Sequence, residues 1–116
     1  MSDAFFQLKV EADAHVVEFS LPPELDPMEF DRLNVAMLAL LDGRTSNRWV
    51  MDLTNVDYMG SAMLGLMVNV RQHVKNAGGK LALCGLSPPL LGIFKNCCLE
   101  RLFVITKSRH EAVARV

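Results

Sequence analysis

The sequence predicts an α/β fold, a mixed sheet of four to five strands flanked by about four helices. Three observations predict it. Short β-branched or apolar stretches alternate with amphipathic stretches of helical period, and strands alternating with helices imply right-handed crossovers and a mostly parallel sheet. The first two strand candidates lie close enough for a hairpin, which makes the sheet mixed. The 116 residues, 51% hydrophobic and 22% charged, suit one ordinary domain that buries roughly two-thirds of its unfolded surface.

Each element has a local reason. Residues 5–11 and 14–20 are the hairpin, the second carrying His15-Val16-Val17-Glu18-Phe19. Pro22-Pro23 ends that run, because proline cannot donate to a strand ladder. Asp26-Pro27-Met28-Glu29 reads as a helix start: Asp26 caps, Pro27 suits the first helical position, and Glu29 completes the spacing of a capping box. Phe30, Leu33, Met37, Leu40 and Leu41 follow at helical spacing, and Gly43 ends the helix. Trp49-Val50-Met51-Asp52-Leu53 is a buried strand. A helix opens at Ser61 with Met63, Leu66, Met67, Val70 and Val74 on one face, while Arg71, Gln72, His73 and Lys75 turn mainly to solvent. Gly78-Gly79 stops it, and Lys80–Cys84 is the next strand. Ser87-Pro88-Pro89 opens a helix with Leu90, Leu91, Ile93 and Phe94 as its apolar residues; Phe103-Val104-Ile105 is a last short strand; Ser108 caps a terminal helix holding Ala112 and Val113. The predicted order is β-β-α-β-α-β-α-β-α.

Composition narrows the function. Net charge is −1, from 12 basic and 13 acidic residues, so no basic field favours nucleic acid. The amino-terminal stretch lacks a basic region followed by an apolar run, and no stretch approaches the roughly 20 apolar residues of a membrane span, so a cytoplasmic protein without direct membrane insertion is expected. Cys84, Cys97 and Cys98 form neither a disulfide framework nor a spaced ligand pair, and are expected as free core cysteines. His15, His73 and His110 are isolated and expected at the surface; no metal and no cofactor is expected. Gly78-Gly79-Lys80 lacks the earlier glycine of a phosphate-binding loop, and neither GxGxxG nor HExxH occurs. Ser61 has no GxSxG setting. Asp52 and Asp57 are not brought to one substrate by anything in the sequence. No enzymatic activity is expected.

The informative stretch is Val50 to Met67, VMDLTNVDYMGSAMLGLM. It starts as a strand, passes through Asp57-Tyr58-Met59-Gly60 and becomes a helix at Ser61. Ligands and partners tend to bind where parallel strands end and helices begin. The first helical turn offers unpaired N–H groups and a partial positive charge. A serine there can be a cap, stabilising by about 1 kcal/mol. The same place also favours a phosphate with nearly two negative charges. Gly60 leaves an open approach for another protein, and Met59, Met63 and Met67 are expected to give adaptable apolar surface around it.

Residues 52–66, Asp-Leu-Thr-Asn-Val-Asp-Tyr-Met-Gly-Ser-Ala-Met-Leu-Gly-Leu, resemble the signature of the STAS domain, the fold of bacterial anti-sigma-factor antagonists. The resemblance continues through Ala77-Gly78-Gly79-Lys80-Leu81-Ala82-Leu83 and Leu86-Ser87-Pro88 and closes with Leu99-Glu100-Arg101-Leu102-Phe103. It covers nearly the whole chain, residues 1–116, as a single STAS-like domain. The sequence departs from the family pattern at three positions. Gly60 stands where the family usually has Asp, Met63 where it has Gly, and Cys98 where it has a helix-ending Gly.

The resemblance implies a partner switch. In such antagonists the serine matching Ser61 is phosphorylated by a partner of the histidine-kinase-like ATPase type that is both anti-sigma factor and serine kinase. The unphosphorylated form binds that partner, the phosphorylated form lets go, and a phosphatase resets it. Residues Tyr58, Met59, Gly60, Ser61, Ala62, Met63 and Leu64 are the expected partner-binding stretch, and a weak homodimer is compatible with the resemblance. The alternative is a STAS interaction module that is not phosphorylated: a signalling scaffold, or the soluble subunit of a lipid transporter.

Overall fold

Among the described residues five strands lie side by side in the order in which the chain makes them. The computed structural model describes residues 5–22, 24–42 and 47–116. The strands are β1 (Phe6–Glu11), β2 (Ala14–Ser20), β3 (Arg48–Asn55), β4 (Lys80–Cys84) and β5 (Val104–Ile105). β1 and β2 pair antiparallel, with Phe6 opposite Phe19 and Glu11 opposite Ala14. The remaining pairs are parallel, Val17 beside Met51 and Met51 beside Leu83. The helices are α1 (Pro27–Asp42), α2 (Ser61–Asn76), α3 (Pro88–Asn96) and α4 (Arg109–Arg115). The mixed five-stranded α/β architecture and its element order are those expected.

The alternation along each strand explains the layers. Val17, Phe19, Trp49, Met51, Leu53 and Leu83 share one apolar cluster with the buried faces of α1, α2 and α3. Ala14, Val16, Val50, Ala82 and Cys84 form a smaller cluster with Ala112 and Val113 of α4. Three helices therefore cover one face of the sheet, and one short helix covers the other. Two arginines hold that short helix. Arg48 donates from Nε to Val116 O (2.9 Å), from Nη2 to Val113 O (2.9 Å), and from Nη1 to Ala12 O. Arg109 holds the other end through carboxylates described below.

The expected helix signals act as read. Asp26 N–H donates to Glu29 Oε1 (3.1 Å) and Glu29 N–H to Asp26 Oδ1 (2.8 Å), a reciprocal capping box. Ser87 Oγ accepts from Leu90 N–H (3.4 Å) and Ser108 Oγ from Glu111 N–H (3.1 Å). α2 stops in a Schellman turn: Gly78 takes φ +77°, Gly79 N–H donates to Val74 O (2.8 Å) and Gly78 N–H to Lys75 O (3.0 Å).

Several expectations are corrected. Phe103 is not in a strand: it is buried and meets the Phe94 ring edge-on at 5.8 Å, which draws it out of the ladder. A 3₁₀ turn at Leu99–Arg101 was not foreseen. β3 runs three residues beyond its expected bounds. Only Cys84 is a core cysteine; Cys97 and Cys98 are exposed, because they follow the last turn of α3. His15 is half-buried rather than superficial, its ring 4.6 Å from that of Trp49 beside it in the sheet and tilted by 32°. Gly43 and Pro23, expected to end a helix and a strand, lie outside the described residues.

Candidate functional site

The loop between β3 and α2 is pinned from below. Val56 N–H donates to Leu53 O (2.9 Å), and Val56 and Met59 are almost fully buried. These two apolar anchors leave Asp57 and Tyr58 outside, Tyr58 with half its surface exposed. Gly60 then takes extended dihedrals, φ −79° and ψ 175°, as the N-cap of α2. Its carbonyl accepts from Leu64 N–H (3.0 Å), and no side chain caps this end.

Ser61 is therefore the first residue inside the helix, exposed, and not the cap. A serine caps from the position before the helix, where extended backbone aims its oxygen at the turn above. Gly60 occupies that position and has no oxygen to offer. The capping reading of Ser61 is thus overturned.

Ser61 borders a cleft of about 320 Å³ between the loop that follows β2 and the start of α2. Leu21, Pro22, Glu24, Leu25 and Phe30 form one wall, and residues 58–63 the other. The first wall was not foreseen. The signal was topological: β2 and β3 are parallel, with Ser20 beside Asn55, so the chain leaves both strands at the same end of the sheet. Among the described lining residues Glu24 is the one charged side chain. Residues 10–31 and 49–70 contain no Lys or Arg, so neither stretch supplies a cation next to Ser61.

Of the expected partner-binding residues, Tyr58, Ser61 and Ala62 are exposed and Gly60 is half-buried. Met59 and Met63 line the cleft but are nearly inaccessible, Leu64 is buried outside it, and Met67 is completely buried. The expectation of adaptable methionine surface is corrected. The 3.6-residue period that sets Met63, Met67, Val70 and Val74 on one face directs that face into the core.

A second polar group sits on the α4 side of the sheet. Arg109 donates from Nε (3.1 Å) and Nη2 (2.8 Å) to Asp52 Oδ2, from Nη1 to Glu11 Oε1 (3.0 Å), and from Nη2 to Glu18 Oε2. Asp52 Oδ1 accepts from Thr54 N–H (3.0 Å) and Thr54 Oγ1 (2.5 Å). Burial pushes the Asp52 carboxyl up, but the Thr54 and Arg109 hydrogen bonds outweigh it and hold it below its ordinary value. The Arg109 hydrogen bond does the same for Glu18. Burial pulls Arg109 down, and its three carboxylate partners more than reverse that. Burial, with Asp52 nearby, pushes the Cys84 thiol up to about 12, so it stays a neutral, unreactive thiol at neutral pH. Gly85, at φ +76°, crosses close above: a Cβ there would stand 2.3 Å from Thr54 Oγ1. Asp52 and Thr54 thus fasten the end of β3, on the face opposite the apolar core that anchors the Ser61 loop. Asp52 is buried in the sheet and Asp57 exposed in the loop.

Among the described residues no three His, Cys, Asp or Glu side chains converge as metal ligands, and no helix is long and apolar enough to cross a membrane.

Comparison with known proteins agrees with this geometry. A family model described as the STAS domain matches residues 7–112. An anti-sigma F factor antagonist of Paenibacillus polymyxa is 27% identical over 95 residues, covering 77% of this chain and 81% of that one. The BtrV protein of Bordetella bronchiseptica is 30% identical over 84 residues, 72% of each chain. The solved structure of an anti-sigma-factor antagonist (STAS) domain protein from Planctomyces limnophilus superposes with a TM-score of 0.80 at 23% identity, over 95% of this chain and 96% of that one.

Proposed function

Because the chain belongs to the STAS domain family, we propose that it acts as one STAS domain in a partner-switching pathway: an anti-sigma-factor antagonist that docks on a kinase-type anti-sigma factor and is controlled by phosphorylation of Ser61. The observation that carries this reading is the setting of Ser61. It is exposed at the first position of α2, beside the cleft, and the helix end above it has no side-chain cap.

The chemistry follows from that setting. A phosphate on Ser61 reaches uncapped N–H groups of the first turn, and the helix dipole favours its charge. The fold therefore tolerates it. Residues 10–31 and 49–70 supply no Lys or Arg to neutralise it, so the new charge is presented to whatever docks there. Desolvating that charge against an apolar or acidic partner surface costs several kcal/mol, enough to release the partner. The free hydroxyl imposes no such cost. A phosphatase restores the binding form. The protein works in the cytoplasm by docking, without turning over a substrate.

Calorimetric titration of the cognate anti-sigma factor tests this. Ser61→Ala binds as tightly as the unphosphorylated protein, and Ser61→Asp binds at least about tenfold more weakly. Equal affinities for all three, with no phosphate on Ser61 by mass spectrometry of protein from its native cell, would assign the domain instead to the unphosphorylated module of a scaffold or transporter.

A further inference from the structure

The far end of α2 from Ser61 carries a second cleft, of about 200 Å³. Its walls are the last turns of α2, the start of β4, residues 102–104 and the end of α4. Arg71, Lys75, Lys80 and Arg115 line it, and among the described residues no Asp or Glu does. Three other cations have partners: Lys9 and Arg109 meet carboxylates, and Arg48 meets backbone carbonyls. Among the described residues these four make no ion pair; Arg71 donates from Nε to Leu102 O (2.6 Å). Favourable helix ends account for Lys75 and Arg115 one at a time, as each stands in a last turn. They do not account for the convergence of four cations from three elements on one cleft.

The surroundings define what fits. Residues 58–116 hold eight Lys or Arg and two Asp or Glu, whereas residues 1–57 hold four and eleven. The chain that builds most of the cleft is thus cationic, and the chain before it acidic. Beside the cations, Leu102 and Val104 are 40% and 37% exposed. Val104 belongs to β5, one of the two edge strands, which among the described residues pairs with β4 alone. An edge strand leaves backbone N–H and C=O groups open to a further strand.

We infer that this cleft and the adjoining β5 edge dock an extended acidic segment of a partner protein, in which carboxylates alternate with apolar residues. Alternation sends successive side chains to opposite sides of an extended chain, so one set meets the cations while the other covers Leu102 and Val104. Guanidinium groups favour carboxylates by bidentate bonding. A nucleic acid satisfies the cations but not the apolar pair, and a net charge of −1 gives its backbone no wider basic field. This surface is separate from the Ser61 cleft and does not depend on the switch.

The test uses a fluorescein-labelled decapeptide of alternating Glu and Val, with anisotropy for affinity and backbone amide shifts for location. Shifts concentrate on residues 71–81 and 102–105 and spare 58–63. Affinity falls severalfold between about 50 and about 200 mM salt. Lys75→Glu with Lys80→Glu weakens binding at least about tenfold while the melting transition is retained. If that double variant fails to fold, Lys75→Gln with Lys80→Gln, which removes charge without reversing it, still weakens binding severalfold. Ser61→Asp binds the peptide like the parent protein. Equal binding of a Lys/Val or a Glu/Gly decapeptide, shifts centred elsewhere, or tighter binding of a single-stranded oligonucleotide would each overturn the assignment.

Discussion

Replacing Gly60 by Asp tests how α2 begins. Gly60 has an extended φ of −79°, which any residue adopts, and a Cβ built there meets nothing within 4 Å. The site accepts a side chain without strain. An Asp carboxylate at the N-cap receives an N–H of the second or third helical residue and improves on Gly by a few tenths of a kcal/mol. Loss of glycine's unfolded-state freedom adds about 0.4–1 kcal/mol. Repulsion from Asp57 and Glu24, on exposed and screened ground, subtracts a few tenths. The net is about 1 kcal/mol of stabilisation. Unfolding entropy of about 2.1 cal/mol/K per residue turns this into a rise in Tm of about 4 °C for a chain of this length. Differential scanning calorimetry of the purified variant reads it directly. An unchanged or lowered Tm would refute the reasoning, because Gly60 would then be needed for something other than capping. Phosphate transfer to Ser61 by the cognate kinase, followed on the same variant, speeds up if the family's Asp assists the kinase.

Three further outcomes are expected. Ser61→Ala leaves Tm within about 2 °C of the parent protein, since Ser61 makes no cap; a loss of more than about 1 kcal/mol in denaturant unfolding would contradict its placement. Cys98→Gly raises stability by about 0.5–1 kcal/mol in urea titration, because Cys98 sits at φ 58° and ψ 21°, a left-handed conformation costing a non-glycine residue about 1–2 kcal/mol, partly offset by glycine's freer unfolded state. Glu18 and Asp52 titrate below their ordinary values of 4.5 and 3.8. They therefore contribute stability that is full above those values and lost as pH falls through the lower folded ones. Arg109→Met costs about 2 kcal/mol at pH 7 and flattens the fall in Tm below about pH 4.5; an equally steep fall in the variant would contradict the assignment.

The sequence made legible what depends on near neighbours. The capping box at Asp26 and Glu29, the Gly78-Gly79 stop and the strand Lys80–Cys84 all rest on contacts within a few residues, and all stand where expected. The helix start at Ser61 stands where expected, but the cap role does not, because the extended residue before the first turn is Gly60, which has no side-chain oxygen. Met59, Met63 and Met67 were seen as apolar but not as interior, since period alone does not say what lies opposite a face. Half of the cleft comes from Leu21 to Phe30, about 30 to 40 residues upstream of Ser61. Arg109 and Glu11 are 98 residues apart. No local pattern links such pairs; parallel pairing of distant strands does.

The agreement between spatial and chain order in the sheet bears on how the protein is made. A ribosome delivers β1 and β2 first, and they can close as a hairpin within microseconds, far faster than the next strand emerges at about 5–20 residues per second. Each later strand then meets the exposed edge of the one already laid down, as β3 meets β2 and β4 meets β3. No strand has to be inserted between two that have paired, and no early edge waits for a distant latecomer. The reverse face is different. Ala14, Val16 and Val50 remain bare, and Glu11 and Asp52 lack their arginine while Glu18 has Lys9 alone, until α4 brings Arg109. A nascent chain stalled before residue 109 therefore shows this apolar strip and its carboxylates to any chaperone at the exit tunnel.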